Sequence, residues 1–149
     1  LEWPGKYMSA GYLYLVTHTE HPGLIRVLNA RHMPALEHAA DGSAVRYLVR
    51  CNDVETAELH LHSALRWNLV DIDNHLYRSD LLQAIAAIAA DDPRHRQIWL
   101  DPSLEPNELK RIETLTRLGR ARRRRIDLMW QAIGGIGIAL VLLNALVLF

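Results

Sequence analysis

A long apolar segment constrains this chain more than any other feature. Residues 129–149 read MWQAIGGIGIALVLLNALVLF and contain no charged side chain. A helix of about 20 apolar residues spans the roughly 30 Å hydrocarbon core of a bilayer, whereas the buried helices of soluble domains have shorter apolar runs. The segment therefore predicts one transmembrane helix over residues 126–149, at the end of a tail-anchored protein. The alternative is a buried core helix, which the short remaining chain could not wrap.

Arginines crowd the stretch just before the apolar segment. Residues 111–125 hold seven Arg and one Glu (net +6), whereas residues 1–110 hold 10 Lys and Arg against 15 Asp and Glu (net −5). Arginines stay on the cytoplasmic side of a membrane, where they meet anionic lipid. We expect the soluble domain on the cytoplasmic or matrix-equivalent side, with the lipid bilayer as a partner. The residues expected to bind headgroups and set orientation are Arg120, Arg122, Arg123, Arg124 and Arg125.

The arginines have two other possible partners. An acidic protein could dock on them, or a nucleic acid could bind them. Nucleic-acid binders normally present a basic face on the folded domain, and this domain is acidic. Nucleic acid is therefore not an expected partner.

Small and polar side chains within the apolar segment predict a protein partner in the membrane. Glycine and alanine at four-residue spacing allow close approach of two helices, and a membrane amide can hydrogen-bond across such a contact. We expect an integral membrane protein to pack on this helix. The candidate packing residues are Gly134, Gly135, Ala139 and Asn144.

The preceding residues predict one small α+β domain, a three-stranded and mostly antiparallel sheet with flanking helices. Alternating and β-branched runs indicate strands at residues 12–16, 24–28 and 45–51, with a short strand-like run at 76–78. Helices are predicted at 34–40, from a cap at Asn52 to about Arg66, and over 80–90 after a cap at Ser79. The predicted organisation is an extension (1–9), the domain (10–91), a linker (92–105), a basic juxtamembrane helix (106–125) and the anchor (126–149). The last two form one continuous stalk helix.

Four short motifs follow one another through the predicted domain: GYLYLV at 11–16, HPGL at 21–24, ELHLH at 58–62 and NHLYR at 74–78. In order and spacing they resemble the GIY-YIG nuclease superfamily, in the branch named after a phage T5 open reading frame. The resemblance covers about residues 10–90. It implies a GIY-YIG-like fold.

Catalysis in that superfamily uses a tyrosine that positions water, an arginine on the phosphate and a glutamate that holds a divalent metal. By the resemblance, Tyr14 and Glu58 correspond to the tyrosine and the glutamate. The family's K-I-G reads RVL here at 26–28, its threonine is Ala30, no arginine lies near residues 36–37, and His75 replaces the closing glutamate. We therefore expect Tyr14 and Glu58 to be relics of a lost site.

Three functions are compatible with these features. The first is a non-catalytic accessory or adaptor subunit of a membrane complex, with no cofactor. The alternative is a membrane-localised endonuclease that acts on DNA with Mg²⁺. The third is a free-standing protein that binds the lipid surface without a protein partner.

Histidines offer weaker candidates for metal binding. Glu58 and His62 lie four residues apart, on one helix face, and could offer two ligands, although a simple hydrogen bond along the helix is the alternative. His60 is two residues from His62 and should point elsewhere. His18 and His21 share a loop that lacks a clear third ligand.

Overall fold

The computed structural model describes residues 9–36, 40–92 and 94–147. The chain forms a six-stranded sheet with helices packed on one face. The strands are β1 (Gly11–His18), β2 (Leu24–Ala30), β3 (Ser43–Cys51), β4 (Leu69–Asp71), β5 (Leu76–Arg78) and β6 (Arg96–Leu100). The helices are α1 (Val54–Leu65), α2 (Leu81–Asp91) and α3 (Pro106–Val147).

All neighbouring strands are antiparallel, in the order β4-β5-β2-β1-β3-β6. Strand β1 is central, and its alternation sends Leu13 and Leu15 into the core between the sheet and the helices. Tyr12 and Tyr14 consequently point to the opposite face, because successive side chains of a strand alternate. Gly11 begins β1 where a Cβ would meet Ala30 O and Val54 Cγ1 at 2.9 Å, so only glycine fits there.

The sheet is twice as wide as the three strands expected from the sequence. Strand β6 lies within residues 92–105, expected to be a linker, and pairs with β3 at one edge. Residues 96–100 show little alternation of polar and apolar side chains, and prolines at positions 93 and 102 lie close to both ends of the strand. The sequence alone therefore suggests an irregular segment here. Strands β4 and β5 complete the other edge with three residues each.

Helix starts also differ from expectation by one residue. Asp53, not Asn52, caps α1 by accepting from Thr56 N, and Asp80, not Ser79, caps α2 by accepting from Leu82 N. The helix expected at 34–40 is not seen at residues 34–36 or 40, and residues 37–39 lie outside the described part.

Helix α3 is continuous for 42 residues, as the sequence predicts. Its first turns pack on the domain, where Ile112 and Leu115 are half-buried against the core and a Cβ on Gly119 would lie 3.0 Å from Ala90 Cβ. From about residue 128 onward, its apolar side chains are exposed. By length and composition this helix can cross a membrane, which is compatible with a single-pass anchor.

Candidate functional site

Three potential metal ligands converge near the β4 edge of the sheet. Glu58 and His62 project from α1, and His75 ends the turn between β4 and β5. His75 Nδ1 lies 2.9 Å from Glu58 Oε1, and His62 Nε2 lies 3.9 Å from the same oxygen. One ligand atom from each residue lies within 4.8 Å of the other two. We call these three residues the Glu58 cluster.

Neighbouring side chains hold two members of the cluster in place. Asn29 on β2 donates its amide to Glu58 Oε2 at 2.5 Å. The hydroxyl of Tyr77 contacts His62 Nδ1 and leaves Nε2 directed toward Glu58. Outer partners of this kind orient metal-binding side chains and fix the tautomer of a histidine.

The turn that carries His75 is braced on both sides. The Asp71 carboxylate accepts from Asn74 Nδ2 at 2.7 Å, and Arg26 donates to Asn74 O and Oδ1 at 3.1 and 3.0 Å. His75 itself has φ 51°, the left-handed region that non-glycine residues seldom occupy. Such outliers persist where surrounding contacts enforce them and are concentrated at functional sites.

Burial sets the electrostatics of the cluster. The Glu58 side chain is 14% exposed, and its Oε1 has no hydrogen-bond donor in good geometry among the described residues despite the short contact to His75. Burial lowers the pKa of His62, and His75 lowers it further against the opposing effect of Glu58. Burial and the neighbouring His75 therefore both favour the uncharged form of His62.

Tyr14 lies on the other side of the sheet from Glu58. It pairs directly with Leu28 on β2, whereas Asn29, which binds Glu58, pairs with the core residue Leu13. Directly opposed residues share a face, so the two relic candidates face opposite ways. The structure does not bring Tyr14 and Glu58 into one site.

The arginines near the anchor fall into two groups. Arg120 donates to Ala89 O at 2.9 Å, and Arg123 donates to Asp91 O at 2.9 Å and pairs with the Asp91 carboxylate at 2.5 Å. Both therefore bind the C-terminus of α2, where a positive charge is favourable. Within residues 120–125, all of which the structure describes, the exposed Arg122, Arg124 and Arg125 make no hydrogen bond or ion pair.

The candidate packing residues lie on more than one side of α3. Gly135 and Ala139 share a face, while Asn144 lies about 180° from Gly135 at 100° per residue. A Cβ on Gly134 or Gly135 would meet nothing within 4 Å. These positions are open to a neighbouring helix.

The other histidines behave differently. His60 turns away from His62 and contacts Asp91 Oδ1 at 2.8 Å. His18 and His21 gain Glu20 as a possible third ligand, but Glu20 and His21 are exposed, and Glu20 N donates to His18 Nδ1. This trio lacks the buried supporting side chains of the Glu58 cluster.

Sequence reasoning paired Glu58 with His62 but missed His75 as the third member. The i, i+4 spacing of Glu58 and His62 is visible within one helix, whereas strand pairing and a left-handed turn place His75 beside them. No protein family, curated protein or solved structure matches this chain. The likeness to the GIY-YIG superfamily thus stays a prediction from the motifs.

Proposed function

We propose that this protein is a membrane-anchored, non-catalytic accessory or adaptor subunit that holds a GIY-YIG-like domain against the cytoplasmic face of a membrane protein complex. The observation that carries the proposal is the continuity of α3. One helix both completes the domain and supplies the exposed apolar surface that suits a bilayer. If a flexible linker joined the domain to the apolar segment, no single element would serve both purposes.

Contacts along α3 fix the domain to the anchor. Arg111 lies 3.5 Å from Asp80 at the start of α2, and Arg123 binds Asp91 at its end. Between them Gly119 permits close approach to Ala90. A helix held at both ends of its neighbour keeps one orientation, which supports a role in which the domain is presented at a fixed height and angle.

The length of the exposed apolar segment agrees with this arrangement. Roughly 20 residues follow Asp127 within α3, which gives about 30 Å at 1.5 Å per residue. The three unpartnered arginines at 122, 124 and 125 lie directly before it, where anionic headgroups would be. Positive charge at that end favours a cytoplasmic or matrix-equivalent domain.

The placement of the relic residues supports a non-catalytic role. Tyr14 lines a groove of about 630 Å³ with Arg26, but the Arg26 guanidinium is already bonded to Asn74. A carboxylate on this groove, Asp41, accepts two hydrogen bonds from Ser43. A nuclease needs water-positioning, phosphate-binding and metal-binding groups around one phosphate, and here Glu58 lies across the sheet.

Helix packing in the membrane tests the adaptor role. The full chain would be expressed in its native membrane, extracted in mild detergent and sized on a native gel. We expect a complex larger than one 17.0 kDa chain. Gly135→Leu should break it, because a large side chain blocks close helix approach. Leu143→Ile, which conserves volume on a lateral face, is the matched control.

Two outcomes would overturn the proposal. One is a monomer for both the unaltered chain and the control. The other is cleavage of DNA by the full chain with Mg²⁺ or Mn²⁺ that is lost in both Tyr14→Phe and Glu58→Gln.

A further inference from the structure

We propose that the Glu58 cluster binds a divalent transition cation of the zinc class through Glu58 Oε1, His62 Nε2 and His75 Nδ1. This inference is independent of the anchor and of any partner in the membrane. It rests on the geometry of the three side chains and on the residues that support them.

The distances suit a tetrahedral metal. Two ligands each about 2.1 Å from zinc lie roughly 3.4 Å apart at a tetrahedral angle. The separations from Glu58 Oε1 are 2.9 and 3.9 Å, on either side of that value. The ligand atoms of all three residues lie within 4.8 Å of one another, so one cation can reach all three.

The ligand chemistry selects the metal. Two imidazoles and one carboxylate favour zinc and its first-row neighbours, whereas magnesium prefers oxygen ligands and retains its water. A cation would also supply the missing partner of the buried Oε1 atom, which His75 approaches without forming a well-aligned hydrogen bond.

The surroundings leave one coordination position open. An open groove of about 400 Å³ reaches His62 and His75, and its apolar wall contains Leu59, Leu69 and Ile72. Three protein ligands with an open fourth position are typical of zinc sites that bind water or an exchangeable ligand, whereas structural sites are closed by four side chains. The fourth ligand is expected to be water.

The test uses the tag-free full chain in detergent after treatment with a chelator. Zinc or cobalt at about a hundredfold excess over the dissociation constant should raise the melting temperature on the order of 10 °C. One equivalent of metal should be retained, and the cobalt form should show the intense visible bands of tetrahedral coordination. Magnesium should produce no shift.

Variants assign the ligands. Glu58→Gln and His75→Asn should each abolish the metal-dependent shift and the cobalt spectrum; asparagine tolerates the left-handed backbone of residue 75, so folding is preserved. The control His18→Gln/His21→Gln removes the exposed trio and should retain both signals. Azide should alter the cobalt spectrum by displacing water.

Three results would refute the proposal. Zinc and cobalt could fail to shift the unaltered chain, which would leave the cluster as a hydrogen-bonded ion pair. The shift could survive both ligand variants, or it could vanish in the control. An unchanged spectrum with azide would refute the open position.

Discussion

Arg123 offers a direct test of how the domain is joined to the anchor. It stands in a run of four arginines, yet it alone in that run is bonded to α2 among the described residues. Its partner Asp91 is 8% exposed and Arg123 is 44% exposed, so the carboxylate would lose its cation in a mostly buried position. Arg123→Ala should therefore destabilise the domain, whereas Arg125→Ala should not.

The magnitude follows from the two contacts that are lost. A hydrogen bond to a charged group contributes about 1.5–3 kcal/mol, and the exposure of Arg123 calls for a value near the lower end. His60 also contacts Asp91 and retains part of the stabilisation. We expect a loss of about 2 kcal/mol, or roughly 8 °C in melting temperature for a domain of this size.

Thermal unfolding of the full chain in mild detergent measures this difference. Asp91→Asn should lower the melting temperature less in the Arg123→Ala background than in the unaltered chain, because the two residues stabilise the domain as a pair. Equal melting temperatures for Arg123→Ala and Arg125→Ala would refute the division of the arginines into domain-binding and free groups.

Two further predictions concern truncation and pH. Deleting residues 129–149 should give a soluble, folded domain by centrifugation and circular dichroism, whereas deleting residues 106–149 should give an unfolded or aggregated one, because Ile112 and Leu115 no longer cover the core. The folded pKa of His62 is lowered, so the unfolded chain takes up the proton first as pH falls below about 6.5, and stability should fall from there down through the folded pKa. The melting temperatures of the metal-free protein at about pH 7.5 and about pH 5.5 should differ less in His62→Gln than in the unaltered chain.

The sequence predicts the central strands and the long helix well. Leu13 and Leu15 alternate with tyrosines in β1, and α3 has no proline after its first turn, so local pattern and tertiary structure agree. Strands β4 and β6 lie at the sheet edges, where short length and exposed polar residues weaken the pattern. The pairing of β6 with β3 joins segments that are distant in sequence, so no local window contains it. Strand β4 pairs with β5 across the turn at residues 72–75, but each of these strands has only three residues.

The candidate site, too, can be predicted from the sequence only where the pattern is local. Glu58 and His62 could be paired from helical spacing, but His75 required the β4–β5 turn and the bond from Val27 N to His75 O at 3.0 Å. The arginine run looked uniform in sequence. The position of the end of α2 separates Arg120 and Arg123 from the others, and that position depends on how the two helices pack.

The docking of α3 on α2 also governs the timing of folding during synthesis. The ribosome makes the chain from the N-terminus, so strands β1–β6 and helix α2 emerge before the turns of α3 that cover the core. The apolar segment follows those turns about ten residues later in the same helix. The core of the domain is therefore completed only shortly before the apolar segment emerges, and a factor that binds this segment meets an incompletely closed domain. Premature release into water would expose both apolar surfaces at once.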